Sequence, residues 1–172
     1  MTKRSVTAIG GVALVLIVLL APAGADATAS VTDVQAARLQ REVQYVINHS
    51  RAGARQISPN RVQWPRDGVT LTLAVPGEAH AARFADCPKR YACLWQDVGG
   101  AGRRIQFFHY RTYKLRAYGM PPFTHRGASS YYNHQTGGAR AILHADFDFS
   151  MRGAGNLYGA LNDRGRSITL AP

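Results

Sequence analysis

The fold of this chain is decided by the stretch Cys87-Pro88-Lys89-Arg90-Tyr91-Ala92-Cys93-Leu94-Trp95, which continues to Gly99-Gly100-Ala101-Gly102 and Ile105-Gln106-Phe107. Two cysteines stand at the start of an apolar, aromatic segment. The glycine-rich segment predicts a bend, because glycine adopts the backbone conformations that a tight reversal requires. An apolar segment follows the bend, so the stretch predicts the first hairpin of a small β-domain.

The N-terminus has the features of a secretory signal peptide. Lys3 and Arg4 precede an apolar run over residues 9–20, which is too short to cross a bilayer comfortably. Ala23-Gly24-Ala25 then offers a cleavage site of small residues. We therefore predict that residues 1–25 are removed on export, that the mature protein is secreted and extracellular, and that it keeps no membrane anchor.

Export also predicts the state of the two cysteines. A pair of cysteines in an oxidising compartment is expected to form a disulfide, and Cys87 and Cys93 would close a tight loop. A zinc site would need further ligands at suitable spacing, and none accompanies this pair. We therefore expect a disulfide between Cys87 and Cys93 and no metal.

The chain is strongly basic, with a formal net charge of +11 at pH 7. The excess lies in residues 87–172, which hold twelve Lys and Arg residues against four Asp, while residues 26–86 are nearly neutral. A basic surface favours acidic partners. The candidate residues for binding an anionic polymer of the cell envelope are Arg103, Arg104, Arg111 and Arg116.

Aromatic residues interleave with cations between Phe107 and Tyr118, and such a composition suits single-stranded nucleic acid or a sugar polymer. An exported protein has little access to nucleic acid, so an anionic envelope glycan is the partner that this pattern favours, and no nucleic acid is expected. The alternative is that the aromatic side chains alternate into the core of a β-domain while the cations face water.

Residues 26–86 predict a helix and a β-hairpin followed by a linker. An apolar stripe at helical spacing is formed by Leu39, Val43, Val46 and Ile47. Apolar residues then alternate over residues 62–75 around the turn Pro65-Arg66-Asp67-Gly68, which predicts the hairpin. Residues 78–86 have no clear pattern. A helix and a hairpin bury little core alone, so we expect this leader to lean on the domain that follows.

Residues 87–172 predict short strands separated by turns, which is typical of an all-β sandwich or barrel. An internal repeat of roughly forty residues compares Leu94-Trp95 and Ala128-Ser129-Ser130 with Leu143-His144 and residues 162–167. Two such copies predict paired Greek keys. We therefore expect a mainly β protein, with a domain over residues 87–172.

These features resemble the βγ-crystallin double Greek key. They resemble more closely a family of secreted actinomycete peptidase inhibitors, family thirty-six, which is built on that fold. The motifs that carry the resemblance are the cysteine pair with Leu94-Trp95, the bend ending at Gly102, and Ala128-Ser129-Ser130-Tyr131-Tyr132-Asn133. Residues 56–60 and Trp64 are also similar to the leader of longer members, so the resemblance covers about residues 30–172.

The resemblance implies an inhibitor of metalloproteinases that inserts an exposed loop into the protease cleft. In the best-known type of member, this loop follows the strand after the Asn and is held by a second disulfide. Residues 147–153 take that place here, without a cysteine. The candidate protease-contact residues are Phe149, Ser150, Met151 and Arg152. The alternative is that Phe147 and Phe149 fill the core of the second Greek key.

No catalytic constellation is visible, since neither Gly-x-Ser-x-Gly nor His-Glu-x-x-His occurs. His134, His144 and Asp146 are close in sequence but lack the arrangement of a metal site. In a calcium site of this fold, Arg166 would occupy a hydroxyl position, so we expect at most a weak site near Asn162 and Asp163.

The sequence therefore predicts a monomeric, secreted inhibitor that is not an enzyme and needs no cofactor, with an extracellular protease as its partner. The second hypothesis from a different class is a cationic module of βγ-crystallin type that binds envelope glycans or acts as an antimicrobial. Inhibition of a protease would separate the two.

Overall fold

The computed structural model describes residues 31–77, 83–121, 124 and 127–172. The predicted signal peptide and residues 78–82 of the predicted linker lie outside the described residues. One α-helix, α1 (Val31–His49), precedes the strands. The strands are β1 (Arg55–Ser58), β2 (Arg61–Trp64), β3 (Val69–Thr72), β4 (Ala92–Trp95), β5 (Arg104–Phe107), β6 (Thr112–Lys114), β7 (Ser130–Asn133), β8 (Arg140–His144), β9 (Asp148–Met151), β10 (Ala154–Asn156) and β11 (Ser167–Ala171).

Helix α1 is amphipathic and packs on the sheet through one apolar stripe. Leu39, Val43 and Val46 are buried, and Ile47 packs against the same core. These residues recur at the three- and four-residue spacing that places side chains on one face of an α-helix. The helix contacts β1 and β2, so the predicted stripe covers the leader hairpin.

The strands form two antiparallel sheets. The first sheet has seven strands in the order β1-β2-β3-β5-β4-β7-β10, and the second has four strands in the order β6-β11-β8-β9. A mainly β architecture was predicted from the spacing of apolar segments and turns, and the structure confirms it. None of the helices in the described ranges is long and apolar enough to cross a membrane.

The connections are those of two Greek keys that exchange one strand. Strands β4 to β7 form the first key and strands β8 to β11 form the second. The third strand of the first key, β6, pairs with β11 in the second sheet, while the third strand of the second key, β10, pairs with β7 in the first sheet. The predicted repeat therefore corresponds to the two keys, and the exchange places them over one shared core.

The leader continues the first sheet. Strand β3 pairs with β5 in the register Val69 to Phe107 and Leu71 to Ile105. The turn before β3 is a short 3-10 helix that begins at Pro65 and is closed by Gly68, whose φ of 64° is left-handed and favours glycine. Side chains of the leader and of both Greek keys belong to a single hydrophobic cluster.

The disulfide predicted from the sequence is present between Cys87 and Cys93. Both cysteines and Trp95 are buried and form a small second cluster. Phe84 packs on this cluster and meets the Trp95 ring edge to face, with ring centroids 5.5 Å apart. The disulfide therefore closes the segment that leads into β4 and is covered by aromatic side chains.

Candidate functional site

The segment predicted as a loop over residues 147–153 is the end of a hairpin followed by an edge strand. Strand β9 pairs with β8 in the register Leu143 to Phe149 and Ala141 to Met151. Among the strands of the described residues, none pairs with its other side. Residues 145–147 connect the two strands, and we call them the hairpin tip. The segment is therefore mostly regular structure, with only its tip projecting beyond the strands.

The four predicted contact residues differ in their access to a partner. Ser150 and Arg152 are exposed. Phe149 is half-buried, because its ring packs edge to face on Tyr131 with the centroids 5.2 Å apart. Met151 is 2% exposed and belongs to the core, so the structure does not present it to a protease. Strand alternation explains the difference, since successive side chains point to opposite faces of a sheet.

Phe147 is the exposed apolar side chain of this region. It lies in the hairpin tip and is 52% exposed. Of the two phenylalanines that the alternative placed in the core of the second Greek key, Phe149 packs against the core and Phe147 does not. The sequence alone gave little signal for this, because two phenylalanines at a spacing of two residues suggest one shared face of a strand. The strand begins only at Asp148, so Phe147 precedes the alternation.

Two polar networks fix the hairpin tip. The carboxylate of Asp146 accepts hydrogen bonds from Arg164, at 3.0 Å, and from Arg166, at 2.8 Å. His144 Nδ1 lies 2.6 Å from Oδ1 of Asp148, and His144 Nε2 lies 2.7 Å from Oγ1 of Thr169. Both strands at the tip are thereby tied to β11 and to the loop that precedes it.

Asn133 fixes the other end of the segment. Its backbone N–H donates to the carbonyl of Gly153 at 2.8 Å. Its side-chain amide donates to the carbonyls of Ala139, at 3.1 Å, and Met151, at 3.4 Å. Residues 145–153 are therefore held at both ends without a second disulfide, and the Asn of the family motif makes one of the two attachments.

The four arginines predicted to bind an anionic polymer do not form one patch. Arg103 is buried and forms an ion pair with Glu42. Arg104 is half-buried beside Asp86, and burial lowers the pKa of its guanidinium while Asp86 opposes that shift. Arg111 forms an ion pair with Asp67 at 3.0 Å. Arg116 is exposed, and no ion pair joins it to the described residues.

The aromatic side chains between residues 107 and 118 serve mainly as core. Phe107, Tyr113 and Tyr118 are buried, whereas Tyr110 is 55% exposed. The Tyr113 hydroxyl donates to the backbone carbonyl of His109 at 2.7 Å. Burial raises the pKa of Tyr113 and the pKa of Tyr118 to about 12. The segment therefore offers no row of stacking platforms to a nucleic acid or a glycan.

The candidate metal ligands belong to separate networks. His134 Nδ1 lies 2.8 Å from the carbonyl of Cys87, His144 contacts Asp148, and Asp146 is occupied by two arginines. Across the part of the chain that the structure describes, no three His, Cys, Asp or Glu side chains are grouped as a metal site would require. The weak calcium site near Asn162 and Asp163 stays a prediction.

Comparison with known proteins supports the resemblance seen in the motifs. Peptidase inhibitor family I36 matches residues 80–142, a segment that holds the disulfide and the first Greek key and ends before the hairpin tip. Neither the curated proteins nor the solved structures contain a match to the chain. The βγ-crystallin likeness therefore stays a prediction. Over residues 80–142 the chain is therefore similar to peptidase inhibitor family I36.

Proposed function

We propose that this protein inhibits an extracellular metalloproteinase and that the hairpin tip with strand β9 makes the contact. The observation that carries the proposal is the exposed Phe147 at a tip that two polar networks hold in place. The class of protease comes from the family resemblance. The extracellular setting comes from the predicted signal peptide.

The mechanism follows from the rigidity of the segment. A contact segment that is already ordered loses little conformational entropy on docking, so more of the contact free energy appears as affinity. Phe147 would enter an apolar pocket of the protease. The outer edge of β9 presents backbone groups that can pair with an extended strand of the protease, as edge strands do. The exposed Ser150 and Arg152 would lie along the same edge.

The test is inhibition of a thermolysin-like metalloproteinase, with a serine protease measured in parallel. Replacing Phe147 by alanine should raise the inhibition constant by roughly tenfold or more, since it removes an exposed apolar anchor. The unfolding midpoint should stay unchanged, because that side chain is half exposed in the free protein.

Tyr110 supplies a matched control, because it is an aromatic residue of similar exposure in the loop between β5 and β6, at the other end of the sandwich. Tyr110→Ala should inhibit as the unaltered protein does. Equal losses in the Phe147 and Tyr110 variants would rule out the hairpin tip as the contact. Inhibition of the serine protease alone would contradict the metalloproteinase target.

A further inference from the structure

A groove of about 1290 Å³ lies between helix α1 and the segment that follows β6. We call it the helix groove. The side chains that matter for its charge and shape are Arg38, Arg41, Tyr45, His49, Arg103 and Arg116. The groove is made jointly by the leader and the first Greek key and lies apart from the hairpin tip.

Arg103 forms a fixed, charged part of the groove wall. It is 3% exposed, and its Nη1 donates to the carbonyl of Gly119 at 2.6 Å. Its Nη2 forms an ion pair with Glu42. Glu42 is the acidic side chain among the described residues that line the groove, and this pairing neutralises it. The remaining charge of the groove is therefore positive.

The exposed cations stand on both sides of the groove. Arg38 and Arg41 lie on the flank of α1 beside the buried apolar stripe, and both are exposed. Arg116 is exposed on the opposite side, in the short 3-10 helix after β6. A chain lying in the groove would thus meet guanidinium groups from two directions.

The helix also supplies a flat ring surface. The rings of Tyr45 and His49 stack 4.2 Å apart at an angle of 19°, and the ring nitrogen Nδ1 of His49 lies 2.9 Å from the carbonyl of Tyr45. Tyr45 is 53% exposed, although its neighbour Val46 is buried in the core. An exposed, preordered ring beside arginines suits a ligand with both rings or polyol units and anionic groups.

We propose that the helix groove binds an anionic polymer whose sugar or polyol units are joined by phosphates. Guanidinium groups bind phosphate through paired hydrogen bonds, and arginine is preferred to lysine for this geometry. The groove is far larger than a single phosphate requires, and its cations are spaced along two walls. A polyanion gains additionally from the release of its bound counterions, so the affinity should fall steeply as salt is raised.

The experiment is titration of the full mature chain with a short glycerol-phosphate oligomer, followed by calorimetry at low and at moderate salt. The triple variant Arg38→Ala, Arg41→Ala, Arg116→Ala should bind roughly tenfold more weakly, since each exposed ion pair contributes only a fraction of the affinity. The matched control is the triple variant Arg55→Ala, Arg66→Ala, Arg140→Ala, which removes the same charge from exposed positions elsewhere. It should bind as the unaltered protein does.

Three outcomes would overturn the proposal. An equal loss in both triple variants would show that net charge and not the groove attracts the oligomer. Equal affinity for a polyglutamate of the same charge would show that the groove takes acidic polypeptides. Absence of binding at low salt would exclude an anion site altogether. Protease inhibition should be unchanged in the groove variant, so this test is independent of the proposed inhibitor function.

Discussion

At the scale of single residues, Asp67 joins three elements. It is 6% exposed in the turn between β2 and β3, and its carboxylate contacts Arg51 at 2.9 Å and Arg111 at 3.0 Å. Arg51 follows α1 and Arg111 precedes β6. Both arginines are about half exposed, so water weakens the pairs, but the carboxylate itself is buried and is therefore costly to leave without its charged partners.

Asp67→Asn should therefore lower the free energy of unfolding by about 1–2 kcal/mol, because the amide keeps the shape and loses the charge that both arginines bind. Urea denaturation measures this change. Asp146→Asn is the control, since Asp146 also binds two arginines but is exposed, and its replacement should change stability by less than about 0.5 kcal/mol. A larger loss of stability in the Asp146 variant than in the Asp67 variant would contradict the argument that burial makes the Asp67 ion pairs more important to the fold.

Two buried tyrosines give the protein a stability limit at high pH. Removal from water raises the pKa of Tyr113 and of Tyr118 to about 12, from the ordinary value of 10.0. Above pH 10 the unfolded chain loses these protons while the folded chain keeps them. The two protonated phenols therefore make their full contribution to the free energy of unfolding below about pH 10. That contribution is lost as the pH rises towards 12.

We expect the urea midpoint to fall across this range, and to fall less in Tyr118→Phe, which has no proton to lose. Absorbance at alkaline pH should show that Tyr113 and Tyr118 ionise only as the pH approaches 12. A midpoint that stays constant up to pH 12 would mean that the phenols are accessible to water.

At the scale of elements, the strands that the sequence predicted are those with an apolar pattern. Strands β2, β3, β4, β5, β7, β8 and β11 fall where apolar segments alternate with turns. Strands β1, β6, β9 and β10 were not predicted. Strand β10 is Ala154-Gly155-Asn156, which has no apolar alternation, and its pairing with β7 comes from the exchange between the keys. Whether such a short segment forms a strand is therefore determined by its tertiary contacts and not by its own sequence pattern.

The same limit applies to the candidate site. The sequence placed the contact segment at residues 147–153, but the start of β9 at Asp148 decides which side chains project. One residue of strand register exchanges exposed and buried positions, as Ser150 and Met151 illustrate. Residue type alone favoured the apolar Met151, which the pleat turns into the core.

The contact between the two keys offers an element-scale prediction. The backbone N–H of Asp163, in the loop before β11, donates to the carbonyl of Ala128 at 2.9 Å. Gly127 lies so close to this loop that a Cβ added to it would be 2.7 Å from the Cα of Asp163. That neighbour is backbone and cannot rotate away, so the two loops would have to separate.

Gly127→Ala should lower the free energy of unfolding by about 1–3 kcal/mol, the usual range for overpacking. Gly137→Ala tests the alternative that any glycine in a turn is costly to replace. Gly137 has a positive φ, but no atom lies within 4 Å of a Cβ added there. It should cost about 1 kcal/mol, from backbone strain alone. Thermal unfolding of both variants measures the difference, and a neutral Gly127 variant would show that the loops are free to move apart.

At the scale of the whole molecule, the leader and the Greek keys share one sheet and one core. Strand β3 covers the edge of β5 that would otherwise be open, and Trp64 and Leu71 of the leader are fully buried in the common cluster. Tyr118 of the first key meets the ring of Trp64 edge to face at 5.2 Å. We therefore infer that residues 31–172 unfold as one cooperative unit, although composition changes near residue 86.

This inference predicts the behaviour of the chain after excision of the leader. A fragment of residues 83–172 would expose the apolar surface that Trp64 and Leu71 cover and the open edge of β5, and such edges recruit other chains. We expect it to lose the cooperative urea transition of the full mature chain and to associate at micromolar concentration. A separate peptide of residues 26–77 added to the fragment should restore the transition, because β3 supplies the missing strand beside β5. A fragment that unfolds cooperatively at the same midpoint without the peptide would show instead that the Greek keys are stable alone and that the leader is an attachment to them.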